Sequence, residues 1–265
     1  MKSRLMVGVV LAPIALIAVG CGSSNSNATG SSAGTSSSGT PTLTVSAATS
    51  LTDAFTAYGK QFAAANTRFS FAGSDQLAAQ IEQGAHPDVY AAANTKLPDQ
   101  LFAKSLIEKP VVFATNTLVI AVPVGGSKIT SIADLAKPGV KIAAGAPSVP
   151  VGSYTEKVLS GLPASERKAI EGNIVSREPD VGGVVGKVTE GAADAGFVYI
   201  TDVKAASGKL KAIQIPASLD PTAAYGAAVV KATKHPKEAQ DFVNGLLNGA
   251  GKQQLQAAGL GPPPR

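Results

Sequence analysis

Residues 43–55 read LTVSAATSLTDAF, a short β-forming run that passes directly into a helical one. A strand followed at once by a helix is the repeating unit of α/β folds. This stretch therefore predicts a strand over Leu43–Ala47 and a helix over Leu51–Ala65, with small and hydroxyl residues at the junction between them.

The same alternation continues to the end of the chain. Strands are predicted at Leu43–Ala47, Phe69–Ala72, Val89–Ala92, Thr117–Val122, Lys141–Ala144, Asn173–Val175, Phe197–Ile200, Ala212–Ile215 and Ala223–Val230, with helical segments between most of them. Alternating strands and helices predict an α/β fold with largely parallel sheets. Nine strands in two groups favour two sheets, and hence two lobes.

The N-terminal residues 1–20 are predicted to be a lipoprotein signal peptide. Lys2 and Arg4 precede an uncharged apolar run that ends at Gly20, which is short for a membrane span of roughly 20 apolar residues. Small residues lead into Cys21, and this arrangement is typical of the site where a bacterial lipoprotein is cut and lipidated. The alternative is an ordinary signal peptide with an incidental cysteine.

Residues 21–40 are predicted to be a lipidated cysteine followed by a flexible linker rich in Ser, Gly, Asn, Thr and Ala. Such a segment buries no apolar surface, and its root-mean-square reach is about 25 Å. Cys21 is the single cysteine of the chain, so no internal disulfide is possible.

Charge and composition exclude nucleic-acid binding. The formal net charge is +5, and it falls to about +3 when Lys2 and Arg4 leave with a signal peptide. Lys and Arg are scattered rather than clustered, and tryptophan is absent. A nucleic-acid site needs a concentrated basic patch, which this sequence lacks.

Four strand-to-helix junctions are rich in small residues, hydroxyl residues or both, and three of them contain glycine: residues 47–53, 71–77, 147–154 and 179–184. In open α/β sheets, ligands bind beyond the carboxyl ends of strands, where helices begin. The first N–H groups of a helix lack internal partners, and the helix dipole makes that end partly positive. Several such ends around one cavity would bind an anion without Lys or Arg.

Purely structural interpretations of these junctions remain open. Ser50 followed by Asp53 matches a variant of the capping box, and Ser74 is also a suitable N-cap. Pro147 and Pro150 could serve only to shape a turn. A cap and a ligand donor are nevertheless compatible roles.

Taken together, the junctions resemble the molybdate-binding proteins of ABC transporters, which have the type II periplasmic binding protein fold. The resemblance extends from Leu43 to about Gly259. It rests on ATSLTDAF (48–55), FAGS (71–74), LAAQIEQGA (77–85), PDV (87–89), NTLV (116–119), VPVGSY (149–154), DV (180–181) and GFVYITD (196–202), which occur in the family's order.

This resemblance implies five ligand-binding residues. The family's two serines, which donate hydroxyl and backbone N–H groups, correspond to Ser50 and Ser74. Two backbone N–H donors correspond to Val151 and Val181, and a tyrosine hydroxyl corresponds to Tyr199. The sequence departs from the family at Asp75, where a further Ser or Thr is frequent, and at Val151, where smaller residues are common. We expect the carboxylate of Asp75 to point away from the ligand.

The resemblance also implies an architecture and a function. Lobe one would comprise residues 41–121 and 222–265, lobe two residues 122–221, and two strands would form the hinge. The chain would be a monomer, held by its lipid at the outer face of the cytoplasmic membrane. There it would capture molybdate or tungstate for the permease of an ABC importer, without a cofactor, without a protein-bound metal cation and without catalysis.

Three alternatives remain. The ligand could be another tetrahedral oxyanion, namely sulfate, thiosulfate or phosphate, and Asp75 could accept the proton of a phosphate. The protein could be a secreted serine hydrolase, but it lacks the Gly-x-Ser-x-Gly elbow, and His86 and His235 lie beside prolines rather than where a base is expected. It could also be a purely structural lipoprotein.

Overall fold

The computed structural model describes residues 39–264. The predicted signal peptide, the predicted lipidation site Cys21 and nearly all of the predicted linker lie outside the described residues. Within residues 39–264, strands and helices alternate along most of the chain; helices follow one another directly after the fifth and the ninth strand.

All nine predicted strands are present in the described part of the chain. They are β1 (Thr42–Ala48), β2 (Asn66–Ala72), β3 (Val89–Ala92), β4 (Val111–Pro123), β5 (Ile142–Gly145), β6 (Ile174–Glu178), β7 (Ala195–Tyr199), β8 (Leu210–Gln214) and β9 (Thr222–Val229). The largest difference is at β4, which is about twice as long as the predicted strand over Thr117–Val122.

The helices in the described residues lie between the strands and at the C-terminal end. They are α1 (Thr52–Gly59), α2 (Ser74–Glu82), α3 (Lys96–Ala103), α4 (Pro150–Ser160), α5 (Ala164–Gly172), α6 (Val181–Thr189), α7 (Ile200–Ala205), α8 (Pro236–Asn248) and α9 (Ala250–Ala258). α1 is shorter than the predicted helix over Leu51–Ala65, because it ends at Gly59, a poor helix former.

The strands form two sheets that meet in β4. The first sheet has the order β2-β1-β3-β9-β4, and the second has the order β4-β7-β5-β6 with β8 also paired to β4. β1, β2 and β3 are parallel to one another, as are β5, β6 and β7. β9 and β4 add antiparallel pairs, so the sheets are more mixed than the sequence predicted.

β4 is long because it takes part in both sheets, and its antiparallel pairs account for the mixed topology. Its first half, Val111–Thr117, pairs with β9 in the first sheet, and from Leu118 onward it pairs with β7 and β8 in the second. The chain returns from β8 to β9 beside the same crossing, where the N–H of Leu118 donates to the carbonyl of Pro221 at 2.7 Å. Two adjacent passages of the chain therefore connect the sheets.

The hydrophobic core follows this division. Buried aromatic side chains from α1 and α8 pack under the first sheet, where the rings of Phe55 and Phe242 are 5.6 Å apart. Small and β-branched residues fill the core of the second sheet and of α6, which packs on it, including Ala143, Val184 and Val198, all fully buried. Among residues 39–264, none of the helices has both the length and the apolar character needed to cross a bilayer.

Candidate ligand-binding site

A small cavity lies where the carboxyl ends of the parallel strands of the two sheets face each other. The cavity is lined by Ala48, Thr49, Ser50, Ala72, Gly73, Ser74, Ala93, Val149, Pro150, Val151, Asp180, Val181 and Tyr199. All five residues that the sequence predicted as ligand donors are in this lining. They come from five different strand-to-helix junctions, which parallel strands bring to one edge of each sheet.

Ser74 is the first residue of α2 and is almost completely buried. The preceding Gly73 is the N-cap, so the interpretation of Ser74 as a side-chain cap is wrong. The Ser74 hydroxyl oxygen instead accepts the N–H of Ala93 at 3.1 Å. Its own hydrogen therefore remains available to a ligand.

Ser50 lies in a single 3₁₀ turn, Thr49–Leu51, between β1 and α1. Leu51 occupies the N-cap position of α1 and no side chain caps that helix, so the capping-box interpretation of Ser50 is also wrong. The hydroxyl of Ser50 is instead hydrogen-bonded to the hydroxyl of Tyr225 at 2.8 Å.

Val151 occupies the first turn of α4, which begins at Pro150. Proline suits the first helical position because its missing N–H would have no partner there. Val149, the N-cap, makes no side-chain cap, so the N–H groups of this turn have no partner within the helix. A Cβ atom on Gly152 would lie 1.9 Å from the carbonyl oxygen of Ala146, which explains the glycine.

Val181 is the first residue of α6, as the sequence predicted. The carboxylate of the N-cap Asp180 accepts the N–H of Gly183 at 3.0 Å. This bond stabilises the start of α6, which contains two glycines. The cap uses the N–H of Gly183 and does not involve the N–H of Val181. Among the described residues that line the cavity, Asp180 alone is acidic, and its cap explains why it is there.

Tyr199 ends β7 and is fully buried. Its hydroxyl has no hydrogen-bond partner among the described residues. Burial, together with nearby Tyr225 and Tyr154, raises the pKa of Tyr199 well above its ordinary value, so the hydroxyl keeps its hydrogen. The N–H of Tyr199 donates to the buried carboxyl of Asp202 at 2.8 Å, which fixes the start of α7.

Asp75 is not among the described residues that line the cavity, and the direction of its carboxylate relative to a ligand stays a prediction. Its Oδ1 is buried without a hydrogen-bond partner in the described part of the chain and lies near Gly73.

The hydrogen-bond donors that the described residues present to the cavity are neutral. No Lys, Arg or His is among the described residues that line it. Within residues 39–264, no group of three or more His, Cys, Asp or Glu side chains is arranged to hold a metal ion. Neutral hydroxyl and N–H donors at helix N-termini suit a small ligand that offers only acceptor atoms.

Two buried residues behind the cavity were not predicted as part of it. Asn116 appeared in the sequence only as part of a family string, and Tyr225 lies 175 residues after Ser50. Asn116 donates its Nδ2 hydrogens to the hydroxyls of Thr201 and Tyr225, at 2.9 and 3.1 Å. No local pattern could reveal these contacts, because they depend on how β4 and β9 pair.

A donor-lined cavity between two α/β sheets that share a crossing strand defines the class of periplasmic solute-binding proteins. The profile of the family described as bacterial extracellular solute-binding protein matches residues 43–261. Molybdate-binding protein ModA of Mycobacterium tuberculosis is 38% identical over 265 residues, covering 98% of both chains. The chain therefore belongs to this solute-binding family and, within it, groups with the ModA molybdate-binding proteins.

Two further comparisons concern a curated relative and a solved structure. YvgL of Bacillus subtilis, whose name describes an ABC transporter substrate-binding lipoprotein, is 33% identical over 235 residues and covers 86% of each chain. The solved structure of the Azotobacter vinelandii periplasmic molybdate-binding protein superposes with a TM-score of 0.74 at 24% identity, covering 84% of this chain and all of that one. This structural likeness shows the fold.

Proposed function

We propose that this protein captures molybdate, and also tungstate, outside the cytoplasm and delivers it to the permease of an ABC importer. The ligand oxygens accept hydrogen bonds from the hydroxyls of Ser50, Ser74 and Tyr199 and from the N–H groups of Val151 and Val181. The protein acts by binding alone, as a monomer and without a cofactor.

The observation that carries the proposal is the hydroxyl of Tyr199, which is fully buried in the cavity lining and has no partner among the described residues. Leaving a buried polar group unpaired costs about 1–3 kcal/mol. A bound oxyanion removes that cost by accepting the hydrogen, so the empty site is prepared for an acceptor.

Neutral donors also explain how the site could exist without a ligand. A buried Lys or Arg would be strongly unfavourable in the empty cavity, whereas hydroxyl and N–H groups are tolerated more easily. The names of the related proteins support molybdate as the oxyanion. Molybdate and tungstate are nearly equal in size and sulfate is smaller, so a cavity that fits the first two should bind sulfate poorly.

We propose that the ligand is trapped between two lobes, residues 41–121 with 222–265 and residues 122–221. Junctions from the two sheets are in contact beside the cavity: a Cβ atom on Gly73 would lie 2.6 Å from the carbonyl oxygen of Pro179. A ligand that contacts both sides stabilises the closed arrangement, because only that arrangement makes all its hydrogen bonds. The permease could then distinguish loaded from empty protein.

Lipid attachment at Cys21, followed by the linker to residue 40, would hold the protein at the outer face of the cytoplasmic membrane. The description of YvgL as a lipoprotein supports this part of the proposal. Labelling of the expressed protein with a fatty-acid probe tests it, since Cys21→Ser should abolish the incorporation of lipid.

A hydrolase is disfavoured by the same geometry. Ser50 bonds to Tyr225 and Ser74 accepts an N–H group, and no histidine lies in the part of the cavity lining that the structure describes. A serine nucleophile requires an adjacent base. The named relatives are binding proteins, which supports the same conclusion.

Isothermal titration calorimetry of the lipid-free chain from residue 22 onward tests the function. Molybdate and tungstate should bind tightly and compete with each other, while sulfate, thiosulfate and phosphate should bind far more weakly. Molybdate at a hundredfold excess over its dissociation constant should add about 2.7 kcal/mol to the free energy of unfolding. Sulfate binding as tight as that of molybdate would contradict the size argument, and phosphate binding that depends on Asp75 would favour the phosphate alternative.

A further inference from the structure

The hydroxyls of Ser50 and Tyr225 are 2.8 Å apart, and either could in principle donate to the other. The direction matters for the proposed function, on which this inference rests. If Ser50 donates to Tyr225, its hydrogen is lost to the ligand. If Tyr225 donates to Ser50, the Ser50 hydrogen is free to point into the cavity.

Asn116 decides the direction. Its Oδ1 accepts the N–H of Thr117 at 2.9 Å, and only the oxygen of the amide can do so. The Nδ2 atom must therefore face the hydroxyl oxygens of Tyr225 and Thr201, to which it donates both of its hydrogens. The hydroxyl hydrogen of Tyr225 also needs an acceptor, and Asn116 Nδ2 cannot be one because it is itself a donor. The Ser50 oxygen is the other hydrogen-bond contact of the Tyr225 hydroxyl, so the Tyr225 hydrogen is directed to Ser50.

We infer that Asn116 and Tyr225 are positioning residues for the ligand, forming a one-way hydrogen-bond relay that makes Ser50 a donor toward the cavity. The relay runs from Asn116 Nδ2 to the Tyr225 hydroxyl, then to the Ser50 hydroxyl, and ends on a ligand oxygen. It selects ligands whose facing atom is an acceptor, such as a fully deprotonated tetrahedral oxyanion.

The place of Asn116 in the fold gives the relay a second consequence. Asn116 is buried in β4, two residues before the strand leaves the first sheet for the second at Leu118. Its two hydrogens divide between Tyr225 on β9 and Thr201 on α7, the helix that follows Tyr199. One amide thus connects the Ser50 side of the cavity to the Tyr199 side.

Tyr225 can keep donating its hydrogen to Ser50, since it is fully buried and shielded from water. Burial and nearby Asp202 raise the pKa of Tyr225 well above its ordinary value, so it stays protonated and able to donate. Chains of hydrogen bonds also strengthen one another in a low-dielectric interior.

A double-mutant cycle tests the relay. Tyr225→Phe keeps the ring and removes the hydroxyl, and it should weaken molybdate binding about tenfold, which corresponds to about 1.4 kcal/mol. In a Ser50→Ala background the same change should alter the dissociation constant by less than about twofold, because the relay then has no endpoint. A purely structural role for Tyr225 would weaken binding equally in both backgrounds, and that result would overturn the inference.

Tyr58→Phe is the matched control. The Tyr58 hydroxyl donates to the carbonyl of Phe242 at 3.2 Å in the core beneath the first sheet, and Tyr58 is absent from the cavity lining. Its loss should lower the melting temperature of the apo protein while leaving the dissociation constant unchanged.

The inference and the proposed function fail differently. If molybdate binds tightly but the effects of Tyr225→Phe and Ser50→Ala are additive, the relay is rejected and the proposed function stands. If the wild type binds sulfate or phosphate instead of molybdate, the function is rejected and the cycle is read with that anion. Absence of binding for every oxyanion rejects both.

Discussion

The ring of Tyr199 packs edge to face against that of Tyr225, with ring centroids 5.9 Å apart and planes at 69°. Each ring restricts the movement of the other, so the Tyr199 hydroxyl is held in the cavity wall by packing. Aromatic pairs of this kind contribute about 0.5–1.5 kcal/mol beyond the area that they bury. The hydroxyl is therefore fixed in position before any ligand arrives, although it makes no hydrogen bond to the described residues.

Tyr199→Phe should weaken molybdate binding by about 1–3 kcal/mol, because a ligand oxygen loses its donor. The apo protein should be as stable as the wild type or slightly more stable, since the substitution removes a buried hydroxyl without a partner. Calorimetric titration gives the first quantity, and urea denaturation in the absence of ligand gives the second.

Opposite signs in the two measurements make this prediction specific. Tyr58→Phe should show the reverse pattern, with lower apo stability and unchanged affinity, because its hydroxyl is paired and lies in the core. Unchanged affinity in Tyr199→Phe would remove Tyr199 from the proposed set of donors.

The sequence predicted the strands and the junctions well because both depend on local patterns. Val89–Ala92 was predicted with its observed bounds, since four consecutive apolar residues suit a strand that is buried on both faces. Parallel strands then bring their carboxyl ends together whatever the residues between them, which is why junctions far apart in sequence share one cavity.

The remaining features depend on tertiary pairing. Thr117–Val122 was predicted as a complete strand, but the extension of β4 back to Val111 is stabilised by β9, about a hundred residues later in the sequence. The burial of Asp202 could not be predicted either. A charged residue in the first turn of a helix is usually exposed, whereas this one is covered because α7 packs against the crossing of the sheets.

Gly73→Ala should lower the affinity for molybdate. The added Cβ atom would lie 2.6 Å from the carbonyl oxygen of Pro179 and 2.9 Å from Oδ1 of Asp75. The carboxylate can rotate away, but the carbonyl is backbone, so the two sides of the cavity would have to separate. Overpacking of this kind costs about 1–3 kcal/mol, and calorimetric titration should show that loss in the binding free energy.

Gly186→Ala is the control for this substitution. Gly186 lies inside α6 and a Cβ atom there would have no neighbour within 4 Å. The change should stabilise the apo protein by up to about 1 kcal/mol through helix propensity and leave binding unaffected. Equal affinities for Gly73→Ala and the wild type would show that the Gly73–Pro179 contact is absent from the ligand-bound protein.

Asp180→Asn should change stability and affinity in opposite directions. Asparagine can still accept the N–H of Gly183, so the cap remains, but the negative charge at the N-terminus of α6 is lost. The free energy of unfolding should fall by about 0.3–1 kcal/mol. Binding of a dianion should become tighter, because a carboxylate leaves the cavity lining, and the gain should shrink as ionic strength rises.

For comparison, Asp180→Ala should lose the cap as well and should cost about 1 kcal/mol of stability. Titrations of both variants at low and high salt separate the charge from the cap. Weaker molybdate binding by Asp180→Asn would indicate that the carboxylate orders the N–H of Val181 and that this matters more than its repulsion of the ligand.

The stability of the apo protein should depend on pH through Asp202. Burial raises the pKa of this carboxyl from 3.8 to about 7, and the charges of Asp180 and Asp53 add to the increase, while the hydrogen bond from the Tyr199 N–H opposes it. Between these two pKa values the folded protein binds more protons than the unfolded chain. The free energy of unfolding should therefore be highest near pH 4, decrease as the pH rises, and level off above about pH 7. Asp134 has a lowered pKa, so its own contribution to stability is lost only in more acidic solution and does not mask this trend.

Asp202→Asn is the control. The asparagine retains an oxygen that can accept the Tyr199 N–H but cannot titrate, so urea denaturation across this pH range should show a flatter profile than the wild type. Identical profiles for the two proteins would mean that Asp202 has the same pKa in the folded protein as in the unfolded chain, and they would contradict the effect of burial on this carboxyl.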